Sequence, residues 1–306
     1  MDEALLTQCT LCPRECGVNR LEGQLGFCKA DAQVKIARAA LHEWEEPCIS
    51  GINGSGTIFF SHCTLGCVFC QNYEISAIGK GKVISIERLA EICLELQEKG
   101  AHNINFVTAT HYTLHVIEAI KLAKCKGLTI PIVYNTSGYE KVETLKKLEG
   151  YIDIYLPDFK YFKSSYAKKY SKAKQYSDYA KAAIQEMIRQ VGIPRFNEQG
   201  MMEKGVIVRH LMLPGLLFDS KHIIEYLYKT YKNQIYVSLM NQYTPLKHVA
   251  KYPELNRCLN PHHYEYMVEY ALALGVENGF IQEGETNKES FIPAFNEEGV
   301  EPFTGR

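Results

Sequence analysis

Six short apolar or β-branched runs recur along the chain, at Thr57–Phe60, Ile104–Thr108, Ile130–Tyr134, Ile152–Leu156, Val206–Leu213 and Ile235–Leu239. Helical patterns separate them. Ser85 is placed to cap a helix carrying Ile86, Leu89, Ala90, Cys93 and Leu96 on one face. Ile117, Ile120 and Leu122 follow a turn at Thr113, and Ala180, Ile184, Met187, Ile188 and Val191 repeat at helical spacing from near Ser177. This alternation predicts an α/β fold of parallel β/α units joined by right-handed crossovers. Six units suit a partial (β/α)6 TIM-like barrel better than a closed eightfold one. In such barrels the chemistry collects at the C-terminal ends of the strands.

The 306 residues suffice for one large domain with a small appendage. Residues 1–50 show little periodicity and read as a loop-rich, cysteine-rich metal-binding module, ordered by its metal rather than by a core. The barrel is expected over 51–285, with a C-terminal extension at 286–306 that could cover the access to a substrate. A net charge of −1, from 34 basic and 35 acidic residues, argues against nucleic-acid binding. No run approaches the roughly 20 apolar residues that span a bilayer, and the acidic start lacks the features of a signal peptide. The expectation is a cytoplasmic protein.

In a reducing compartment clustered cysteines bind metal or do redox chemistry more often than they form disulfides. Seven of the 11 cysteines fall into two tight groups. One is Cys9, Cys12, Cys16 and Cys28, four soft ligands among turns opened by Gly17, Gly23 and Gly26; zinc or a second iron-sulfur cluster would suit it. The other is Cys63, Cys67 and Cys70, leaving the end of the first expected strand. Three thiolates at these spacings can wrap three irons of a 4Fe-4S cubane and leave the fourth open to a small molecule. Phe69 is positioned to cover one side.

The Cys-x3-Cys-x2-Cys loop with an aromatic before its last cysteine resembles the signature of the radical SAM superfamily. The resemblance implies a 4Fe-4S cluster whose open iron binds S-adenosylmethionine, and a 5′-deoxyadenosyl radical formed by one-electron cleavage. It also implies flavodoxin or ferredoxin as electron donor. Together with Arg209-His210-Leu211 and Gln242-Tyr243, the chain is similar over about residues 55–285 to an uncharacterised group related to pyruvate formate-lyase activating enzyme.

The strand ends then acquire roles. Thr110 and His111 stand where the superfamily has a Gly-Gly-Glu-Pro-like turn that receives the cofactor's amino group. Asn135 and Thr136 place compact polar groups at the third strand end, as ribose or carboxylate contacts require. Asp158 and Lys160 match the Asp-x-Lys of the activating enzymes, which implies cofactor contacts. Arg209, a charge in an apolar strand, needs a partner, and a cofactor carboxylate would supply one. Met240 begins an adenine-side wall. These are cofactor contacts, and the sequence assigns no catalytic residue.

Two targets fit: a glycyl radical protein, or a small molecule or peptide modified directly. The alternative is a non-catalytic iron-sulfur or zinc protein that passes electrons or stores metal. Lys168, Lys169, Lys172 and Lys174, interleaved with Tyr166, Tyr170, Tyr176 and Tyr179, read first as a solvated loop and helix start.

Overall fold

A strand buried on both faces reads as an unbroken apolar run, because one face meets the barrel interior and the other the helix layer. The computed structural model describes residues 2–282 and 293–302, and it has a strand at each of the six expected places. Its described strands are β1 (Val34–His42), β2 (Ser55–Phe60), β3 (Lys82–Ile84), β4 (Ile104–Val107), β5 (Ile132–Thr136), β6 (Ile154–Pro157), β7 (Arg195–Phe196), β8 (Met202–Leu211), β9 (Tyr236–Met240) and β10 (Gly279–Ile281). They form one sheet in the order β10-β9-β8-β6-β5-β4-β2-β1-β3, with β7 paired to β8. From β2 to β9 the six expected strands run parallel, and β10 adds a further parallel strand on β9. The fold is an α/β partial TIM-like barrel.

Register explains the placing of polar groups. Ile58, Phe106, Tyr134 and Tyr155 lie in one row across the sheet and belong to the large core shared with the helices. The alternate residues face inward. Low in the barrel these are Val133, Ile154, Leu156 and Ile207, packed in a separate apolar cluster with Cys48 and Ile49. Further along the same faces come Asn135, Asp158 and Arg209. The inner surface is therefore apolar below and polar above.

Ser85 caps the helix Ile86–Glu98, its hydroxyl accepting from Arg88 N at 3.1 Å. The helices Thr113–Cys125 and Tyr176–Val191 also stand where expected. Leu122 differs from its expected place: it faces solvent, and Ala119 and Ala123 complete the buried stripe. The lysine/tyrosine stretch is likewise mixed. Tyr170 and Tyr176 are core residues, the first stacked on Tyr161 and the second edge-on to it, while Lys169 reaches Glu254 at 2.5 Å.

The reading of residues 1–50 as loop-rich missed β1. This nine-residue strand pairs antiparallel with β2 and β3, so the chain enters the sheet before the first parallel strand. After β1 the single helical turn Pro47–Ser50 closes the bottom of the barrel. Part of the expected C-terminal extension, at 286–292 and 303–306, lies outside the described residues. Residues 293–302 border β1, with Ala39 N donating to Glu298 O at 2.8 Å and Phe295 packed edge-on against Phe59.

Candidate active site

The loop after β2 must turn sharply to bring three cysteines together. His62 and Gly66 both take positive φ, +74° and +68°. At Gly66 a Cβ would meet the Phe27 ring at 3.1 Å, so the turn is both left-handed and covered. Each of the three sulfurs accepts one hydrogen bond: Cys63 from Leu65 N at 3.3 Å, Cys67 from Ser171 Oγ at 3.2 Å, and Cys70 from Ser76 Oγ at 3.2 Å. Burial pushes all three thiols up, Cys70 to about 12, and the Lys160 ammonium pulls each one back. Buried thiols of this kind ionise when a metal replaces their protons. Three sulfurs lining one cavity, each with an outer hydrogen-bond donor, suit the ligation of a 4Fe-4S cluster.

These cysteines line a cavity of about 490 Å³, within the range of small-molecule sites. Phe69, Asn135, Thr136, Asp158, Lys160, Arg209 and Met240 also line it. Phe69 packs edge-on to Tyr161 and Tyr243, with ring centroids 6.3 and 6.2 Å away. Residues chosen from separate strand ends thus share one space.

Arg209 meets protein partners in the cavity wall, although its Nε has no well-formed hydrogen bond. It donates to Glu45 at 2.8 Å and to Asn135 Oδ1 at 2.6 Å. Its Nε also stands 3.3 Å from Asp158 Oδ1. Lys160 pairs with Asp158 at 2.7 Å. Burial opposes every one of these charges, yet their mutual attraction prevails: Arg209 and Lys160 are held above their ordinary values and Asp158 below its own.

Thr110 and His111 are placed elsewhere than the cavity. Both are fully buried in a short 3-10 turn. The Thr110 hydroxyl donates to Glu140 at 2.5 Å, and His111 Nε2 lies 2.8 Å from Ser61 O. Just before that turn Val107 and Thr108 line the cavity, with Thr108 held at φ +61°. A β-branched residue there is strained, and no local sequence signal marks it. Glu45 and Glu46, also missed, form the cavity floor beyond the end of β1; the reading of residues 1–50 as a separate module hid them.

His111 instead borders a second space of about 10 Å³, among Cys9, Cys12, Cys16 and Cys28. Burial pushes Cys12 up to about 12 and also raises Cys28, with neighbouring cysteines adding to both. Among the described residues no three His, Cys, Asp or Glu side chains are arranged to hold a single metal ion. Arg14 links this group to the first. It donates to the carbonyls of Thr64, Leu65 and Ser171 at 3.0, 2.9 and 2.8 Å, with its guanidinium 3.6 Å over the Phe27 ring.

Comparison with known proteins gives this geometry a context. The family profile described as the radical SAM superfamily matches residues 57–227. An uncharacterized protein of Methanocaldococcus jannaschii is 30% identical over 275 residues, 87% of this chain and 75% of that one. The FeFe-hydrogenase maturase HydG of Carboxydothermus hydrogenoformans aligns with a TM-score of 0.50 at 16% identity, over 75% of this chain and 54% of that one. Streptococcus suis SuiB bound to S-adenosylmethionine aligns with a TM-score of 0.48 at 13% identity, over 73% and 49%. The chain spans about half the length of these two solved proteins, and the likeness to HydG is one of fold. Among the described residues no helix is long and apolar enough to cross a membrane.

Proposed function

The chain belongs to the radical SAM superfamily, and on that premise we propose that it cleaves S-adenosylmethionine and uses the resulting radical to take hydrogen from a substrate inside the barrel. The observation that carries this reading is the meeting of three hydrogen-bonded thiols with Asp158, Lys160 and Asn135 in one cavity. A 4Fe-4S cluster on Cys63, Cys67 and Cys70, when bound, supplies the electron that splits S-adenosylmethionine into methionine and a 5′-deoxyadenosyl radical.

The protein's own groups have separable roles. Lys160 places a positive charge beside the thiolates, which favours electron uptake at that position. Asp158 fixes the ammonium of Lys160. Asn135, Thr136 and Met240 offer polar and apolar contacts for the cofactor's sugar and base. Phe69 and Tyr243 keep water from one side of the cysteine loop. In this reading a flavodoxin or ferredoxin delivers the electron, and the N-terminal cysteines hold zinc or a second iron-sulfur cluster.

The likeness of Asp158-x-Lys160 to the activating enzymes supports a glycyl radical protein as one target; a small molecule or peptide is the other. The cavity reaches the surface beside Trp44 and Ile281, both more than half exposed, which is the route either target would take.

The test is anaerobic reconstitution with iron and sulfide, followed by dithionite and S-adenosylmethionine. The expected product is 5′-deoxyadenosine. An intact cluster, seen by its absorbance, with no 5′-deoxyadenosine would refute the reading.

A further inference from the structure

The floor of the cavity holds a charge that the cofactor contacts leave unused. Cys48 and Ile49 anchor the turn Pro47–Ser50 in the barrel bottom, and this sets Glu45 and Glu46 beneath the cysteine loop. Glu45 is fully occupied: Oε2 accepts from Arg209 at 2.8 Å and Oε1 from Asn105 at 3.1 Å. Glu46 differs. Its residue is 8% exposed, it lines the cavity, and its Oε2 has no hydrogen-bond partner.

The pairings show the imbalance. Lys160 is matched with Asp158, and Arg209 with Glu45 and Asp158, so two cations face three carboxylates. Among the described residues Glu46 is the remaining carboxylate on this inner surface. A buried, unmatched carboxylate is costly and is stabilised by taking up a proton or a cation. Burial indeed pushes Glu46 up, against the pull of Arg209 and the Ser238 hydroxyl and with Glu45 adding to the rise. A ligand carrying a protonated amine would complete the set.

We infer that Glu46 is the substrate-recognition residue of this cavity and that it pairs with a primary ammonium group of the substrate. The inference rests on the proposed function, since it takes the cavity to be the substrate site. Glu46 holds the amine at the floor, while the rest of the substrate extends toward the cysteine loop. A free amine and a lysine side chain share this chemistry.

The test uses cluster-reconstituted protein with S-adenosylmethionine present, and reads thermal stability against added ligand. Putrescine is compared with 1,4-butanediol, and the peptide Gly-Gly-Lys-Gly-Gly with the same peptide carrying norleucine. Concentrations run to about 10 mM, where even a millimolar site is visible. At least one cation should raise the melting temperature while its uncharged counterpart does not, and the responding member distinguishes free amine from peptide. Glu46→Gln, which keeps shape and loses charge, should weaken that response about tenfold or more.

Equal response to charged and uncharged probes in the wild-type protein overturns the inference, whatever the variant does. So does a Glu46→Gln protein with normal cluster absorbance and undiminished affinity. Formation of 5′-deoxyadenosine is measured in the same wild-type preparation. Its presence without cation discrimination refutes the role of Glu46 alone; its absence refutes the proposed function.

Discussion

Two cysteine groups lie on either side of Arg14, and they meet the rest of the molecule in opposite ways. Cys63, Cys67 and Cys70 open onto a cavity of about 490 Å³ that contains charged groups from several strands. Cys9, Cys12, Cys16 and Cys28 surround a space of about 10 Å³ closed by Arg20 and His111. Both sets are soft-metal donors. Only the first has room beside it for a reactant, as an open catalytic metal site would need and a closed structural one would not. The closed group acts on the open one through the chain around it, since Arg14 and Phe27 carry its position to the backbone of the cysteine loop.

The largest expected effect comes from removing a ligand on the open side. Cys67→Ala should lower 5′-deoxyadenosine formation at least ~100-fold, as measured by chromatography of the quenched reaction. Iron content should fall with it. Retained turnover would mean that these thiols do not hold the radical-generating cluster.

On the closed side, the proposed reading expects Cys9→Ala/Cys12→Ala to lose a metal held by that group, identified by iron and zinc counts on the same sample. Activity should fall roughly tenfold, through a loosened cysteine loop and not through a lost reactant site. A fall as deep as that of Cys67→Ala would break the comparison and make the second group part of the electron path.

Arg14→Ala tests the link between them. It removes three well-formed hydrogen bonds to carbonyls in the cysteine loop and the neighbouring Ser171 turn, a cost of about 2–4 kcal/mol. The midpoint of chemical unfolding should drop, and the Cys63 cluster should bleach faster in air, although Arg14 lies in the N-terminal module.

Glu140 bridges the ends of β4 and β5, and it should give the smallest effect on the chemistry. Its Oε1 accepts from Thr110 and Thr136, and burial pushes its carboxyl up to about 7, against the pull of both threonines. The folded protein therefore keeps a proton that the unfolded chain gives up near its usual 4.5. Stability from this group is full below that value and declines as pH rises through about 7. The change is on the order of 1–3 kcal/mol. Glu140→Gln should flatten the dependence of unfolding free energy on pH across this window, and an unchanged slope would remove Glu140 as its source.

Much of this molecule was legible before any tertiary contact was known. Six strands announced themselves because both of their faces are buried, as in Ile104–Val107, where all four residues are buried. The loop of Cys63, Cys67 and Cys70 was legible because ligand spacing is local. That Asp158, Lys160, Asn135, Thr136 and Met240 share one cavity followed from the strand ends alone, since parallel strands deliver those ends to one side.

Other features depended on contacts far apart in sequence. β1 pairs antiparallel with β2 and carries Glu45 and Glu46 to the barrel floor, a result of chain direction that composition does not encode. Arg209 was expected to need a partner, and the one the fold supplies is Glu45, 164 positions away. Thr108, rather than Thr110 or His111, faces the cavity because its backbone takes a positive φ. The sequence by itself determined the barrel and the three thiols, through burial patterns and ligand spacing that act over a few residues. Tertiary structure alone decided which polar groups face the cavity, which are already paired, and that one carboxylate remains unmatched there, because pairing depends on distances between strands that meet only in the folded chain.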